Sequence, residues 1–223
     1  QGANGQIIKT SHHVGTHIDG EIHFWGPGRS IGDVPIEEWC GPAAVADISD
    51  ECSDYDLYTP EMIEKRVEVK QGDILIINTG YHHYGWDQPH CDEVRYFVKH
   101  PGPSPDFHEW ALDKKIKWIG MDCGSADHPM NTIIRDWHPK AFQQAEAKIK
   151  EKYGKTWDEL FPPEKYYQIM HLELFPKKLV HAENLGGEID KVLNKRVWIN
   201  LYPLKGIEFE SSQCRITALI PPK

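Results

Sequence analysis

Residues 72–81 read GDILIINTGY, an apolar run held between Gly72 and Gly80, which is the pattern of a buried strand. Downstream, SPDFHEWALDKK (104–115) opens with a Ser cap and a proline at Ser104 and Pro105 and predicts a helix, and IKWIGMD (116–122) follows as another strand. Strand, helix and strand within about fifty residues predict a βαβ unit with parallel pairing. Upstream, TPEMIEKRVEV (59–69) starts a helix with Thr59 as N-cap and Pro60 at the first helical position, where its missing N–H costs nothing. Before it, GPAAVADIS (41–49) reads as a short buried strand entered from a Gly-Pro turn. Near the end, RVWINLYPL (196–204) and CRITALIP (214–221) read as strands that pair as neighbours around KGIEFESSQ. The expectation is a mixed α/β fold with a substantial β portion.

Residues 127–167 differ in character. They hold a polar, Lys-rich helix, KAFQQAEAKIKEKYG (140–154), then TWDE, a capping box from Thr156 to Glu159, and they run up to Pro162–Pro163. This segment is expected to be a surface insertion on a single domain spanning 1–223, either covering a pocket or merely decorating the surface. A chain of 223 residues suits one domain with a real core, and 39% hydrophobic with 26% charged residues excludes disorder and fibrous repeats. The net charge of −9 gives no footprint for nucleic acid or an anionic membrane. No apolar run approaches the roughly 20 residues that span a bilayer. The opening QGANGQIIKT has no basic region leading into an apolar one, so no signal peptide is expected. It also lacks an initiator Met, which points to processing or to loss of an upstream strand. Five cysteines, odd in number and without CxxC spacing, predict reduced thiols in the cytoplasm.

The chemistry concentrates in HHVGTHIDGEIHF (12–24), which packs four histidines and two acids into thirteen positions. His13, His17 and Asp19 form H-x3-H-x-D. On a helix His13 and His17 would share a face, but Gly15 and Thr16 weaken that reading. On an extended strand His17 and Asp19 point the same way, and Gly15 lets the chain turn so that His13 joins them. Either geometry converges two imidazoles and a carboxylate, a donor set for Zn²⁺, Mn²⁺ or Fe²⁺. His23 lies four residues beyond Asp19, within reach of water at such a site. Matching donors recur in MHLELFPKKLVHAENLGG (170–187) as His171, His181 and Glu183; of these, His181 is read as a solvated neighbour.

These residues resemble a known family. HHVGTHIDGEIH is similar to the H-x-G-T-H-x-D-x-P-x-H signature of the cyclase family of metal-dependent hydrolases, which includes bacterial kynurenine formamidase and isatin hydrolase. GDILIINTGY, HPGPSPDFHEWALDKKIKWIGMDCGSAD, HLELFPKKLVHAENL and PLKGIEFESSQCRITAL resemble four further family blocks in the family's order. The resemblance implies a compact α/β fold around a barrel-like β core with flanking helices. It implies His13, His17 and Asp19 as ligands of a first metal, with Asp19 bridging to a second metal held by His171 and Glu183. His23 becomes the general base and acid, the cation Zn²⁺ or Mn²⁺ at one or two per chain, and the assembly a homodimer or homotetramer. Two features depart from the family: Glu21 stands where the signature has Pro, and CGSADHPMNTIIRDWHP is longer and richer in His than its compact members.

A divalent cation makes hydroxide available near neutral pH, and an imidazole with an ordinary pKa near 6.5 can shuttle the proton. The expected reaction is hydrolysis of a C–N amide-type bond in a small cyclic or aryl amide or lactam, with a lactone as the close alternative. Phe24 and Trp25 would offer aromatic walls to a planar substrate, Glu21 a polar contact, and Arg29 a partner for a substrate carboxylate. Two rivals come from other classes. His17-x-Asp19 with a distant His resembles the facial triad of Fe(II) oxygenases, but that triad does not need His13 and Glu183. A non-catalytic metal module gains nothing from His23. A serine hydrolase fails for want of a G-x-S-x-G elbow.

Overall fold

The computed structural model describes residues 2–220. Its strands are β1 (His17–Asp19), β2 (Cys40–Asp47), β3 (Leu57–Tyr58), β4 (Ile74–Asn78), β5 (Gly102–Pro103), β6 (Trp118–Met121), β7 (Val180–Glu183), β8 (Lys195–Pro203) and β9 (Ser211–Leu219). All but β3 and β5, which pair with each other, close into a barrel in the order β1-β7-β6-β4-β2-β8-β9. The β2–β4, β4–β6 and β6–β7 pairs are parallel, and the four remaining pairs of the barrel are antiparallel. The βαβ expectation therefore holds: β4 and β6 run side by side, joined by a connection carrying the helix Phe107–Asp113. The two C-terminal strands pair as neighbours, Trp198 opposite Leu219 and Tyr202 opposite Arg215. Pro221, the last residue of the expected final strand, lies outside the described residues.

Every residue of β4 is buried, as a strand covered on both faces requires. One apolar cluster, containing Val45, Ile76, Trp118 and Ile199, occupies one side of the sheet, and a larger one, containing Leu75, Ile77, Phe107 and Trp157, lies under the helices. Helix Pro60–Arg66 starts as expected, with Thr59 Oγ1 accepting from Met62 N at 3.3 Å.

The 127–167 segment is anchored at both ends. Its first residues, Asp127 to Thr132, are buried, and Trp157 and Phe161 stack with ring centroids 5.1 Å apart inside the larger cluster. The stretch between them, around helix Pro139–Tyr153, faces water on most of its surface, as do residues 163–165 beyond. Lys148 and Lys152 on that helix hold the Asp56 carboxylate at 2.8 and 3.2 Å. The Thr156–Glu159 capping box forms as the sequence predicts.

Candidate metal centre

Strand β1 decides the site. Residues 17–19 are extended, so His17 and Asp19 project to one side while Ile18 enters the apolar core. Gly15 takes φ +72°, a left-handed turn that glycine adopts without strain, and it folds His13 back over the strand. β1 pairs with β7 on one side, His17 opposite Glu183, and with β9 on the other, Asp19 opposite Ser211. Barrel closure thus collects residues 13–23, 171–183 and 210 around one space.

Asp19 sits at its centre, 1% exposed. Its Oδ1 lies 3.1 Å from His13 Nδ1 and 3.5 Å from His17 Nε2; its Oδ2 lies 3.8 Å from His171 Nε2 and 3.6 Å from His181 Nδ1. Glu183 approaches His17 Nε2 at 3.8 Å and His181 Nδ1 at 3.3 Å. Three groups of donor atoms converge around this space, each within 4.8 Å: Asp19, His171, His181 and Glu183, all buried; His13, His17 and Asp19; and, at the rim, His13, His23 and Glu210.

The donor set fits a divalent cation on the strength of atoms that have no partner. His17 Nε2 and both ring nitrogens of His181 are buried without a hydrogen bond, an arrangement that costs about 1–3 kcal/mol per group unless something binds them. The opposite nitrogens are held. His17 Nδ1 donates to Gly15 O at 2.9 Å, and His171 Nδ1 donates to Asp127 Oδ2 at 2.6 Å. Each bond fixes the tautomer that leaves Nε2 with a lone pair facing Asp19 or Glu183, as the outer contacts of metal-binding histidines do. Ala126 N donates to Glu183 Oε1 at 2.9 Å and steadies that carboxylate.

Electrostatics shows how tightly the groups are forced together. Burial pushes the Asp19 carboxyl up, yet the hydrogen bond from His13 and the surrounding imidazoles hold it well below the usual range. Burial and the Asp19 charge raise Glu183 to about 8. Bonding to Asp19 raises His13 to about 9 against its partial burial. Burial lowers His17, His23 and His181.

His23 stands at the rim, about a quarter exposed, with Nδ1 2.7 Å from Glu210 Oε2. Glu210 also meets His13 Nε2 at 2.9 Å and accepts from Ser211 Oγ at 2.7 Å. Neither Glu210 nor Asp127 was a candidate from the sequence. Phe24 borders the site, its ring 4.5 Å from His171 and 4.8 Å from His23. Three expectations need correction. His181 is fully buried in the centre, not solvated, because it shares a strand face with Glu183. Glu21 does not face a substrate: it is 2% exposed, and Arg29 Nε and backbone N bind its two oxygens at 2.8 and 3.0 Å. Arg29 in turn is spent on Glu21 and Glu38 rather than free for a substrate carboxylate. Trp25 is half-buried and packs against the smaller apolar cluster.

The Cyclase family model matches residues 3–128, more than half of the chain. The chain belongs to the cyclase family. It is 26% identical over 135 residues to the kynurenine formamidase of Bordetella petrii, covering 60% of this chain and 58% of that protein. It is 30% identical over 132 residues to the isatin hydrolase of Roseibium aggregatum, covering 52% and 48%. The chain thus spans about half of the length of the curated relatives it matches. An isatin hydrolase solved with the product analogue thioisatinate superposes at TM-score 0.70 and 22% identity, over 96% of this chain and 74% of that one. A potential metal-dependent hydrolase with cyclase activity gives TM-score 0.61 at 18% identity, over 94% and 80%. These last two likenesses establish the fold. The family match contains His13, His17, Asp19 and His23, whereas His171, His181, Glu183 and Glu210 lie beyond it.

Proposed function

We propose that this protein is a metal-dependent hydrolase that cleaves the C–N bond of a small cyclic or aryl amide. The reading rests above all on the buried ring nitrogens of His17 and His181 that have no hydrogen-bond partner within the protein. His13, His17 and Asp19 would hold one Zn²⁺ or Mn²⁺, and Asp19, His171 and Glu183, with His181 added, a second. Bound there, a divalent cation polarises the scissile carbonyl and lowers the pKa of water from 15.7 toward ~7. Kynurenine formamidases and an isatin hydrolase among the relatives support the amide class.

The chain's own residues divide the remaining work. With His23 Nδ1–H donated to Glu210, Nε2 is free to take a proton from the attacking water and return it to the leaving nitrogen. The Glu210 carboxylate stabilises the imidazolium between those transfers. Asp127 keeps His171 in one tautomer. Phe24, beside His23 and His171 and backed by the buried Phe175 ring 6.3 Å away, supplies an aromatic wall that excludes water from one side of the planar substrate. A lactone carbonyl would meet the same groups.

Among the described residues no helix is long and apolar enough to cross a membrane. The five cysteines are all unpaired, which supports a reducing, cytoplasmic setting. A homodimer or homotetramer would draw its contact from the outer face of β8 and β9, where Trp198, Tyr202 and Leu219 are exposed.

Metal counting on purified protein, followed by an amide, lactam and lactone screen, tests the reading. One or two Zn²⁺ or Mn²⁺ per chain with turnover of an amide is expected. His23→Ala should depress kcat by about 10²–10⁴-fold and keep its metal. Asp19→Ala should lose metal and activity together. A metal-replete, active Asp19→Ala protein refutes the centre, and stoichiometric iron with oxygen consumption would replace hydrolysis by oxygenation.

A further inference from the structure

A second group of donors lies outside this centre, where the turns after β4 and β7 meet. Gly80, at φ +80°, turns the chain out of β4 into the 3-10 turn Tyr81–Tyr84. That turn places His82 inward, 7% exposed, while its neighbour His83 stays at the surface. His82 Nδ1 donates to Asp122 Oδ2 at 2.9 Å. Asp122 is wholly buried and is itself fixed by Thr79, whose N and Oγ1 each donate to Oδ1 at 2.7 Å. The imidazole is thus locked in one orientation by a carboxylate behind it, and its Nε2, on the ring's other side, is buried with no hydrogen-bond partner.

Asp190, on the turn Ile189–Lys191 after β7, brings Oδ1 to 3.6 Å from His82 Nε2 and Oδ2 to 4.0 Å from His83 Nε2. Two ligands each about 2.1 Å from one ion are separated by at most about 4.2 Å, so both spacings are within the span a single cation bridges. The donor atoms of His82, His83 and Asp190 all fall within 4.8 Å of one another.

We infer that His82, His83 and Asp190 form a separate divalent transition-metal site, with Asp122 as the outer residue that orients His82. Two imidazoles and one carboxylate select Zn²⁺, Co²⁺ or Ni²⁺ over Mg²⁺ and Ca²⁺. The ion would staple the turn leaving β4 to the turn leaving β7, the strand that ends in Glu183, and would stabilise the fold as its free concentration rises above the dissociation constant. Without an ion the same groups are a His82 side chain shared between Asp122 and Asp190, and the two arrangements predict different metal counts.

The test is zinc stoichiometry of the full chain after equilibration in buffered Zn²⁺, for the wild type and for His83→Ala, Asp190→Ala and His90→Ala. His83, Asp190 and the control His90 are all exposed, so each variant should fold. The expected result is one equivalent fewer in His83→Ala and in Asp190→Ala, with His90→Ala unchanged and amide turnover unaltered in all three. Equal counts in the four proteins overturn the site. The subtraction is independent of the main centre: were that centre to take no metal, the wild type would still hold the one equivalent that these substitutions remove.

Discussion

Acid should weaken this fold through two histidines that lie outside the candidate metal centre. His100 and His128 are both 0% exposed. His128 Nδ1 accepts from Met130 N at 3.1 Å and its Nε2 donates to Tyr55 O at 3.4 Å, so the ring is held as the neutral tautomer. His100 Nδ1 donates to Pro101 O at 2.9 Å. Burial drops His100 from 6.5 to about 4, and burial together with His100 drops His128 from 6.5 to about 3. Because both native values are depressed, the unfolded chain binds more protons below pH 6.5, and stability rises with pH. The contribution is complete above 6.5 and is lost as the pH falls toward the native values. At pH 5 each histidine then costs about 2 kcal/mol, and the two together about 4, against a typical total of about 5–15. Urea unfolding of wild type and His128→Gln at pH 7.5 and pH 5 isolates one of them, because glutamine takes up no proton and every other titrating group is common to both proteins. The wild type should lose about 2 kcal/mol more than the variant between the two pH values. Parallel losses would show that His128 titrates normally in the fold and would refute the reasoning.

Asp127→Asn should weaken metal binding about 10–100-fold, measured by competition with a chelator, because His171 loses the acceptor that fixes its tautomer. An unchanged affinity would mean that His171 needs no such support. Glu210→Gln should lower kcat about 10–100-fold, short of the 10²–10⁴ expected for His23→Ala, while the metal count stays the same. Full activity in that variant would remove Glu210 from the mechanism. Trp157→Ala should destabilise by about 3–5 kcal/mol in urea unfolding, since its ring is fully buried against Phe161 and His128. A loss below about 1 kcal/mol, the usual cost at an exposed site, would return residues 127–167 to the surface.

Local patterns carried the fold as far as local physics reaches. The strand 74–78 and the helices begun by Thr59 and Thr156 depend on neighbours within a few residues, and they form where the sequence places them. The polar helix 139–153 hid the burial of its flanks: composition averaged over 127–167 is wet, yet Met130, Trp157 and Phe161 are core residues. Around β1 the helical and extended readings were both open, because Gly15 disfavours a helix without forcing a strand. Pairing with β7 and β9 settles the matter, and no local signal reports that pairing.

The same contrast explains which site residues were legible. His17 and Asp19 share a face at period two, and the identical rule applied to V-H-A-E would have put His181 beside Glu183. Reading His181 as a solvated neighbour ignores that alternation. Glu21 looked like part of the site because it lies between Asp19 and His23, but a 3-10 turn over 21–23 sends its carboxylate to Arg29, eight residues on. Glu210 had no such signal. It reaches His13 and His23 only because β9 closes the barrel against β1 with Ser211 opposite Asp19, almost two hundred residues apart in the chain. Donors that arrive on one strand can be read from its alternation. The residue that holds His23 arrives through closure, so a change to the β1–β9 register should disturb Glu210 and His23 before it disturbs His17 and Glu183, which are paired through β7.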